Sequence, residues 1–169
     1  MKTFIRLALV FVLLFPYRAV FSQTVGLDDI KSQPSQHLPK PYNEQDRAEE
    51  KIAVLIKKAQ KENKKIILQG GGNWCVWCLR FNAFVRGNAE INSILEKNFL
   101  YYHLNYSPKN KNKKVFEKYG NPGERYGYPV LLVLDKNGKL IHIQSTQPLE
   151  EGNTYSVQKV KALFEQWAK

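Results

Sequence analysis

The chain has 169 residues, of which 43% are hydrophobic, and its formal net charge is +11. This length and this apolar fraction suit one domain with a packed core, and two cysteines are too few for a disulfide-rich scaffold. The basic residues are spread out, apart from a run over 109–114 that has no aromatic partners. The charge therefore does not predict a nucleic-acid-binding groove.

Residues 1–22 have the pattern of a signal peptide. Two basic residues precede an apolar run over 7–15, and this run is well short of the ~20 residues that a membrane span needs. Cleavage near Gln23 would remove three basic residues and no acidic one, which lowers the formal charge from +11 to +8. We expect a periplasmic or secreted protein, and the alternative is an uncleaved signal anchor.

The rest of the chain predicts a linker followed by one domain. Residues 23–42 contain three prolines, which predicts an extended linker or arm before a domain over 43–169. Apolar periodicity and turn residues predict the elements of that domain. The first half comprises a helix from Asn43, a strand at 65–69, a helix from Cys75, a second helical piece capped by Asn88 and a strand at 99–106. The second half comprises a short helix at 113–119, a strand at 130–134, a turn at 135–138 and an antiparallel strand at 140–143. A final helix bears Val157, Val160, Phe164 and Trp167. The segments 121–125 and 147–154 are expected to be loops. This order predicts an α/β three-layer domain with a mixed sheet.

The two cysteines, Cys75 and Cys78, stand three residues apart where a predicted strand turns into a predicted helix. A helix N-terminus carries unpaired N–H groups and a partial positive charge, so it favours a thiolate over a thiol. The thiolate is the nucleophile in disulfide exchange. The pair therefore predicts a redox-active dithiol.

Three other interpretations of this pair are less favoured. A structural zinc site needs four ligands, and the three histidines, His37, His103 and His142, are far apart in sequence. A haem attachment pair needs histidine after the second cysteine, where this chain has Leu79. A purely structural disulfide stays open, although such a short loop gains little stability from closure.

From about Asn43 to its end, the chain resembles the thioredoxin superfamily. The motif Trp74-Cys75-Val76-Trp77-Cys78 follows a strand, and Tyr128-Pro129 precedes an apolar strand, where the family has its cis-proline. The split second helix is similar to a bacterial periplasmic branch, which includes the C-terminal reductase domain of the transmembrane thiol:disulfide interchange protein. The resemblance implies a thioredoxin-like fold, with a central mixed sheet flanked by helices.

The resemblance also implies roles for matching residues. Cys75 would attack and Cys78 would resolve, while Pro129 would be cis beside the disulfide. The backbone of Tyr128 would pair with an extended substrate segment. Trp74 would shape the rim around Cys75. Trp77, between the cysteines, is expected on the exposed helix tip as a recognition surface.

The chain departs from the family at Gln69, where thioredoxins commonly have a buried aspartate, because an amide cannot exchange a proton at neutral pH. No histidine or lysine lies between the cysteines to stabilise the reduced form, which favours a reductase. We expect an exported thiol–disulfide oxidoreductase that reduces disulfide-containing proteins and needs no cofactor beyond its dithiol. A membrane or periplasmic thiol would be its electron donor. The alternatives are an oxidase or isomerase, and a non-catalytic binding module with a structural disulfide.

Overall fold

A computed structural model describes residues 38–169. The predicted signal peptide and most of the predicted linker lie outside the described residues. The elements begin with helix α1 (Ala48–Glu62), strand β1 (Lys65–Gly71), helices α2 (Val76–Gly87) and α3 (Ala89–Asn98), and strand β2 (Phe99–Asn105). Then come helices α4 (Lys113–Lys118) and α5 (Pro122–Tyr126), strands β3 (Val130–Leu134) and β4 (Leu140–Ser145), a 3₁₀ turn (Gln147–Leu149), the short strands β5 (Glu150–Glu151) and β6 (Thr154–Tyr155), and helix α6 (Val157–Ala168).

The four long strands form one mixed sheet in the order β2-β1-β3-β4. β1 runs parallel to β2 and antiparallel to β3, and β3 runs antiparallel to β4. β1 and β3 occupy the centre, and their near-continuous apolar sequences are typical of strands buried on both faces. The predicted mixed sheet is confirmed.

Helices cover both faces of this sheet, and each face has its own core. Side chains of β1 alternate between the two, so that Ile67 packs on the side of α2, α3 and α6, while Ile66 and Leu68 pack on the side of α1 and α4. Phe81, Phe164 and Tyr155 are among the largest fully buried side chains of the first core. The predicted α/β three-layer architecture is confirmed.

Two elements differ from the expected loops. Residues 122–126 form α5, with Pro122 at its first turn, where a missing N–H costs nothing. Residues 150–155 form the β5–β6 hairpin, which places Tyr155 against α2. Within residues 38–169, no helix is long and apolar enough to cross a membrane.

Candidate functional site

The turn between β1 and α2 places Cys75 at the N-cap of the helix. Cys75 has extended backbone angles, φ −93° and ψ 103°, and its N–H donates to the Gly72 carbonyl at 3.1 Å. Its Sγ accepts a hydrogen bond from the Cys78 N–H at 3.1 Å. A cap sulfur that accepts from the first turn is stabilised as a thiolate by the same N–H groups. The helix start predicted at the first cysteine is thus found.

Cys75 and Cys78 form a disulfide, with their Cα atoms 5.2 Å apart. Cys75 keeps 7% of its surface exposed, whereas Cys78 is fully buried. A partner thiol or disulfide reaches Cys75 first for this reason. The geometry therefore supports Cys75 as the attacking sulfur and Cys78 as the resolving one.

The loop before β3 carries the Tyr128–Pro129 pair beside the cysteines. The peptide bond between them is cis, the isomer that the resemblance implies. Pro129 is buried, and its carbonyl accepts from Thr146 Oγ1 at 3.2 Å. Tyr128 packs against the cysteine pair, and burial raises the pKa of its phenol to about 12. The Tyr128 side chain is therefore neutral at physiological pH.

Three aromatic side chains, Trp74, Tyr106 and Tyr128, form an aromatic rim next to Cys75. Trp74 meets Tyr128 edge-on at a centroid distance of 5.6 Å, and Tyr106 stacks on Tyr128 at 5.5 Å. The indole Nε1 of Trp74 donates to the Tyr106 carbonyl at 2.6 Å. Trp74 still exposes 55% of its surface. It is thus an oriented, accessible apolar surface beside the reactive sulfur.

Trp77 lies differently from the expected exposed recognition surface. Its ring is partly buried, with Tyr155 edge-on at 5.6 Å and the Arg80 guanidinium 4.9 Å from the ring centroid. The Tyr155 hydroxyl donates to the Trp77 carbonyl at 3.2 Å. The β5–β6 hairpin thereby covers part of Trp77. Of the two tryptophans in the motif, Trp74 is the exposed one.

Gln69 is fully buried beneath the disulfide. Its Nε2 donates to the Cys78 carbonyl at 3.0 Å and to the Tyr42 hydroxyl at 2.6 Å. Its Oε1 accepts from the Tyr101 hydroxyl at 2.6 Å. Burial raises the pKa of Tyr101, so this phenol stays a donor. Gln69 therefore holds the first turn of α2 in place through hydrogen bonds between neutral groups, in which its Nε2 donates twice and its Oε1 accepts once.

Sequence reasoning did not identify Tyr42, Tyr101 or Tyr106 as site residues. Tyr42 lies in the predicted arm, yet it is only 3% exposed and packs against both cysteines. The signal for it in the sequence is faint: a large aromatic residue that ends a proline-rich polar segment. Tyr101 and Tyr106 come from β2 and the residue after it, which the parallel pairing brings beside the end of β1.

In the part of the chain that the structure describes, no three His, Cys, Asp or Glu side chains come close enough together to hold a metal ion. A histidine near the site is His103, whose ring lies 5.2 Å from that of Tyr42. Burial lowers the pKa of His103 to about 4. It is therefore neutral at physiological pH and adds no charge beside the cysteines.

The chain is similar to one protein family and to several solved structures. A family model described as a thioredoxin-like domain matches residues 52–155. The crystal structure of a disulphide isomerase from Xylella fastidiosa Temecula1 superposes with a TM-score of 0.68 at 22% identity, over 78% of this chain and 99% of that one. The oxidised C-terminal domain of DsbD from Neisseria meningitidis gives a TM-score of 0.49 at 18% identity, over 72% of this chain and 95% of that one.

No curated protein sequence matches the chain. The family match nevertheless spans more than half of it and contains both cysteines and the Tyr128–Pro129 pair. The isomerase structure shows the same fold. The chain therefore belongs to the thioredoxin-like domain family.

Proposed function

We propose that the protein is an exported thiol–disulfide oxidoreductase that reduces disulfides of other proteins through Cys75 and Cys78. The observation that carries the proposal is the position of Cys75 at the N-cap of α2, with 7% of its surface accessible and its sulfur accepting from the Cys78 N–H. A purely structural disulfide needs neither an accessible sulfur nor a position at the start of a helix. A nucleophilic thiolate benefits from both.

The reaction has two exchange steps. The Cys75 thiolate attacks one sulfur of a substrate disulfide, so a Cys75–substrate bond forms and the other substrate sulfur leaves as a thiolate. The Cys78 sulfur then attacks Cys75, forming the intramolecular disulfide and releasing the second substrate sulfur. The substrate gains two electrons, and the cysteine pair loses them. A dithiol donor must reduce the pair again before the next turnover.

We assign the aromatic rim to substrate contact. Trp74 is exposed beside Cys75, and aromatic side chains supply large contact areas at low entropic cost. The backbone before β3 would receive an extended substrate segment, a form of strand addition. The substrates are then unfolded or loop segments of disulfide-containing proteins rather than small thiols. The expected export rests on the N-terminal sequence, and a mature N-terminus near Gln23 would support it.

An insulin-reduction assay tests the proposal. The purified protein should accelerate precipitation of insulin by dithiothreitol, and Cys75→Ala should abolish the acceleration. Trp74→Ala should raise KM for insulin while leaving the reaction of Cys75 with a small disulfide unchanged. A wild-type protein no faster than dithiothreitol alone would refute the proposed activity.

A further inference from the structure

The segment before α1 brings a phenol to the resolving cysteine. Tyr42 is buried and packs against Cys75 and Cys78. The side chain of Asn73, in the loop before Cys75, holds the Tyr42 backbone at both ends of the residue. The Tyr42 N–H donates to Asn73 Oδ1 at 3.1 Å, and Asn73 Nδ2 donates to the Tyr42 carbonyl at 2.7 Å. The phenol is thus fixed relative to the turn at residues 72–75, which joins β1 to α2 and is called the redox turn below.

The hydroxyl of Tyr42 and the sulfur of Cys78 both border the space that a side chain at Gly71 would occupy. A Cβ atom added at Gly71 would lie 2.5 Å from Cys78 Sγ and 2.8 Å from Tyr42 Oη. Only a residue without a side chain leaves this space open between β1 and the two groups. The absence of a side chain at Gly71 therefore allows the phenol to approach the sulfur.

The hydrogen-bond directions leave the Tyr42 proton available. An amide nitrogen can only donate, and the carbonyl of Cys78 can only accept, so the amide of Gln69 must present Nε2 to Cys78 and to Tyr42. The Tyr42 oxygen is then an acceptor from Gln69. Its own hydrogen is not used by Gln69 and can be donated to another acceptor.

The surroundings keep the phenol protonated. Burial is the largest cause that raises the pKa of Tyr42, and the nearby Tyr101 adds to it. Other titratable groups near the pair are His103, neutral above its pKa of about 4, Tyr155, and Tyr128, whose pKa burial raises to about 12. The Arg86 guanidinium lies over the Tyr101 ring at 5.5 Å, and the Arg80 guanidinium lies over the Trp77 ring at 4.9 Å. Tyr42 is therefore a hydrogen-bond donor, not a base.

We propose that the Tyr42 hydroxyl donates a hydrogen bond to the Cys78 sulfur whenever that sulfur is a thiolate, which makes Tyr42 a third catalytic residue. The inference rests on the proposed function and adds a residue to it. Tyr42 keeps its proton throughout, and the proton lost by Cys78 ends on the second substrate sulfur by way of solvent. In the opposite direction, when a donor thiol attacks Cys75, the same hydrogen bond stabilises Cys78 as the leaving group.

The test is a stopped-flow reaction of the reduced protein with Ellman's disulfide, comparing wild type with Tyr42→Phe. The first thionitrobenzoate reports attack by Cys75, and the second, concentration-independent release reports attack by Cys78. Loss of a hydrogen bond to a charged group should raise the pKa of Cys78 by about 1. The thiolate fraction below that pKa then falls about tenfold, while the intrinsic nucleophilicity rises about threefold.

The two opposing effects give a pH signature. In Tyr42→Phe the second phase should be about threefold slower than wild type near neutral pH and about threefold faster on the alkaline plateau, with the first phase unchanged. A merely structural defect would not make the pH profiles of the second-phase rate cross. Tyr102→Phe is the matched control, because its hydroxyl binds Asp46 at 3.3 Å and its ring packs against the opposite core. Its second phase should match wild type at every pH.

A second measurement does not depend on exchange activity. The ultraviolet absorbance of the Cys78 thiolate, titrated in Cys75→Ser with and without Tyr42→Phe, should show the same pKa rise. Superimposable titrations, or a Tyr42→Phe rate profile without a crossover, would overturn the role of Tyr42. If wild type releases no second thionitrobenzoate, the proposed function fails, and the absorbance titration alone decides the hydrogen bond.

Discussion

The two cysteines occupy different environments although they are one helical turn apart. Cys75 caps α2 and keeps 7% of its surface accessible, while Cys78 is fully buried between Gln69, Gly71 and Tyr42. Burial protects a resolving thiol from solvent-borne disulfides, and exposure admits a substrate to the attacking one. The difference in exposure supports the proposed order of the two exchange steps, in which Cys75 attacks and Cys78 resolves.

Cys78→Ala should trap covalent complexes between Cys75 and substrate proteins, because attack persists while resolution is lost. Non-reducing gels of extracts from cells expressing the variant would show the complexes, and dithiothreitol should release them. Cys75→Ala is the matched control and should trap few or none. Trapping by Cys75→Ala, with none by Cys78→Ala, would reverse the assignment.

Gln69→Glu should accelerate decay of the mixed disulfide near neutral pH, because a carboxylate next to Cys78 can accept its proton. The same change should cost about 2 kcal/mol of stability or more, since the introduced carboxyl group would be buried and would lack the amide donor that Gln69 offers to Cys78. Single-turnover kinetics and urea melts measure the two effects. A variant that is neither faster nor less stable would contradict the position of Gln69 beside Cys78.

His103 should make the fold sensitive to mild acid. Burial lowers its folded pKa to about 4 from an unfolded value of 6.5, so the unfolded chain binds the proton more tightly. The contribution of His103 to the free energy of unfolding is fully present above about pH 6.5. It is lost as the pH falls towards 4, which lowers the free energy of unfolding by about 3 kcal/mol in all. Urea melts across this range should show a shallower pH dependence for His103→Gln. An identical slope in both proteins would contradict the lowered pKa.

At the scale of the elements, the break between α2 and α3 is set by one side chain. Asn88 ends α2 and caps α3, with its Oδ1 accepting from the Ile91 N–H at 3.0 Å. The sequence predicts this cap, and the structure confirms it. α3 in turn packs against α6 through residues such as Ile91, Leu95 and Phe164, so the cap positions the helical layer that covers the redox turn.

Asn88→Ala should therefore destabilise the fold by about 1 kcal/mol, while Asn88→Gly should cost only a few tenths. Chemical denaturation of both variants measures the difference. Insulin reduction should be unchanged in both, since neither touches the cysteines. Equal stability of Asn88→Ala and wild type would show that the cap contributes nothing.

Long elements with strong patterns can be predicted from the sequence, and short ones cannot. The sequence predicts strand β3 at its observed residues because five consecutive apolar residues stand between proline and a turn. Helix α5 has five residues and strands β5 and β6 have two each, which is too short for any periodicity to register. For the site, local chemistry is enough to predict Cys75 at a helix start, and the resemblance adds Pro129 beside it.

Tyr42 shows a different limit of sequence reasoning. Its position depends on a tertiary contact with β1 and α2, made by a segment whose local composition is that of a polar linker. The same holds for Trp77, whose cover by Tyr155 depends on a hairpin that the sequence did not reveal. Long-range contacts of this kind are set by the packed fold rather than by neighbouring residues.

On the scale of the whole molecule, the two central strands position the site, and helices pack on both faces of the sheet around these strands. β1 delivers the redox turn, and β3 begins beside it at Pro129. The aromatic rim lies next to Cys75, and its Trp74 is 55% exposed. The fold thus buries Cys78 completely, leaves 7% of the Cys75 surface accessible and places the exposed side chain of Trp74 beside it, which is the arrangement that the proposed function requires.

The reduction potential of the Cys75–Cys78 pair tests the central claim most directly. The protein would be equilibrated in dithiothreitol or glutathione buffers, and its free thiols would be quantified by alkylation. We predict a potential between about −270 and −200 mV, the range of reducing members of the superfamily. A value near about −120 mV would indicate an oxidase instead. A value below about −300 mV, with a pair that resists exchange, would make the disulfide structural and contradict the redox function.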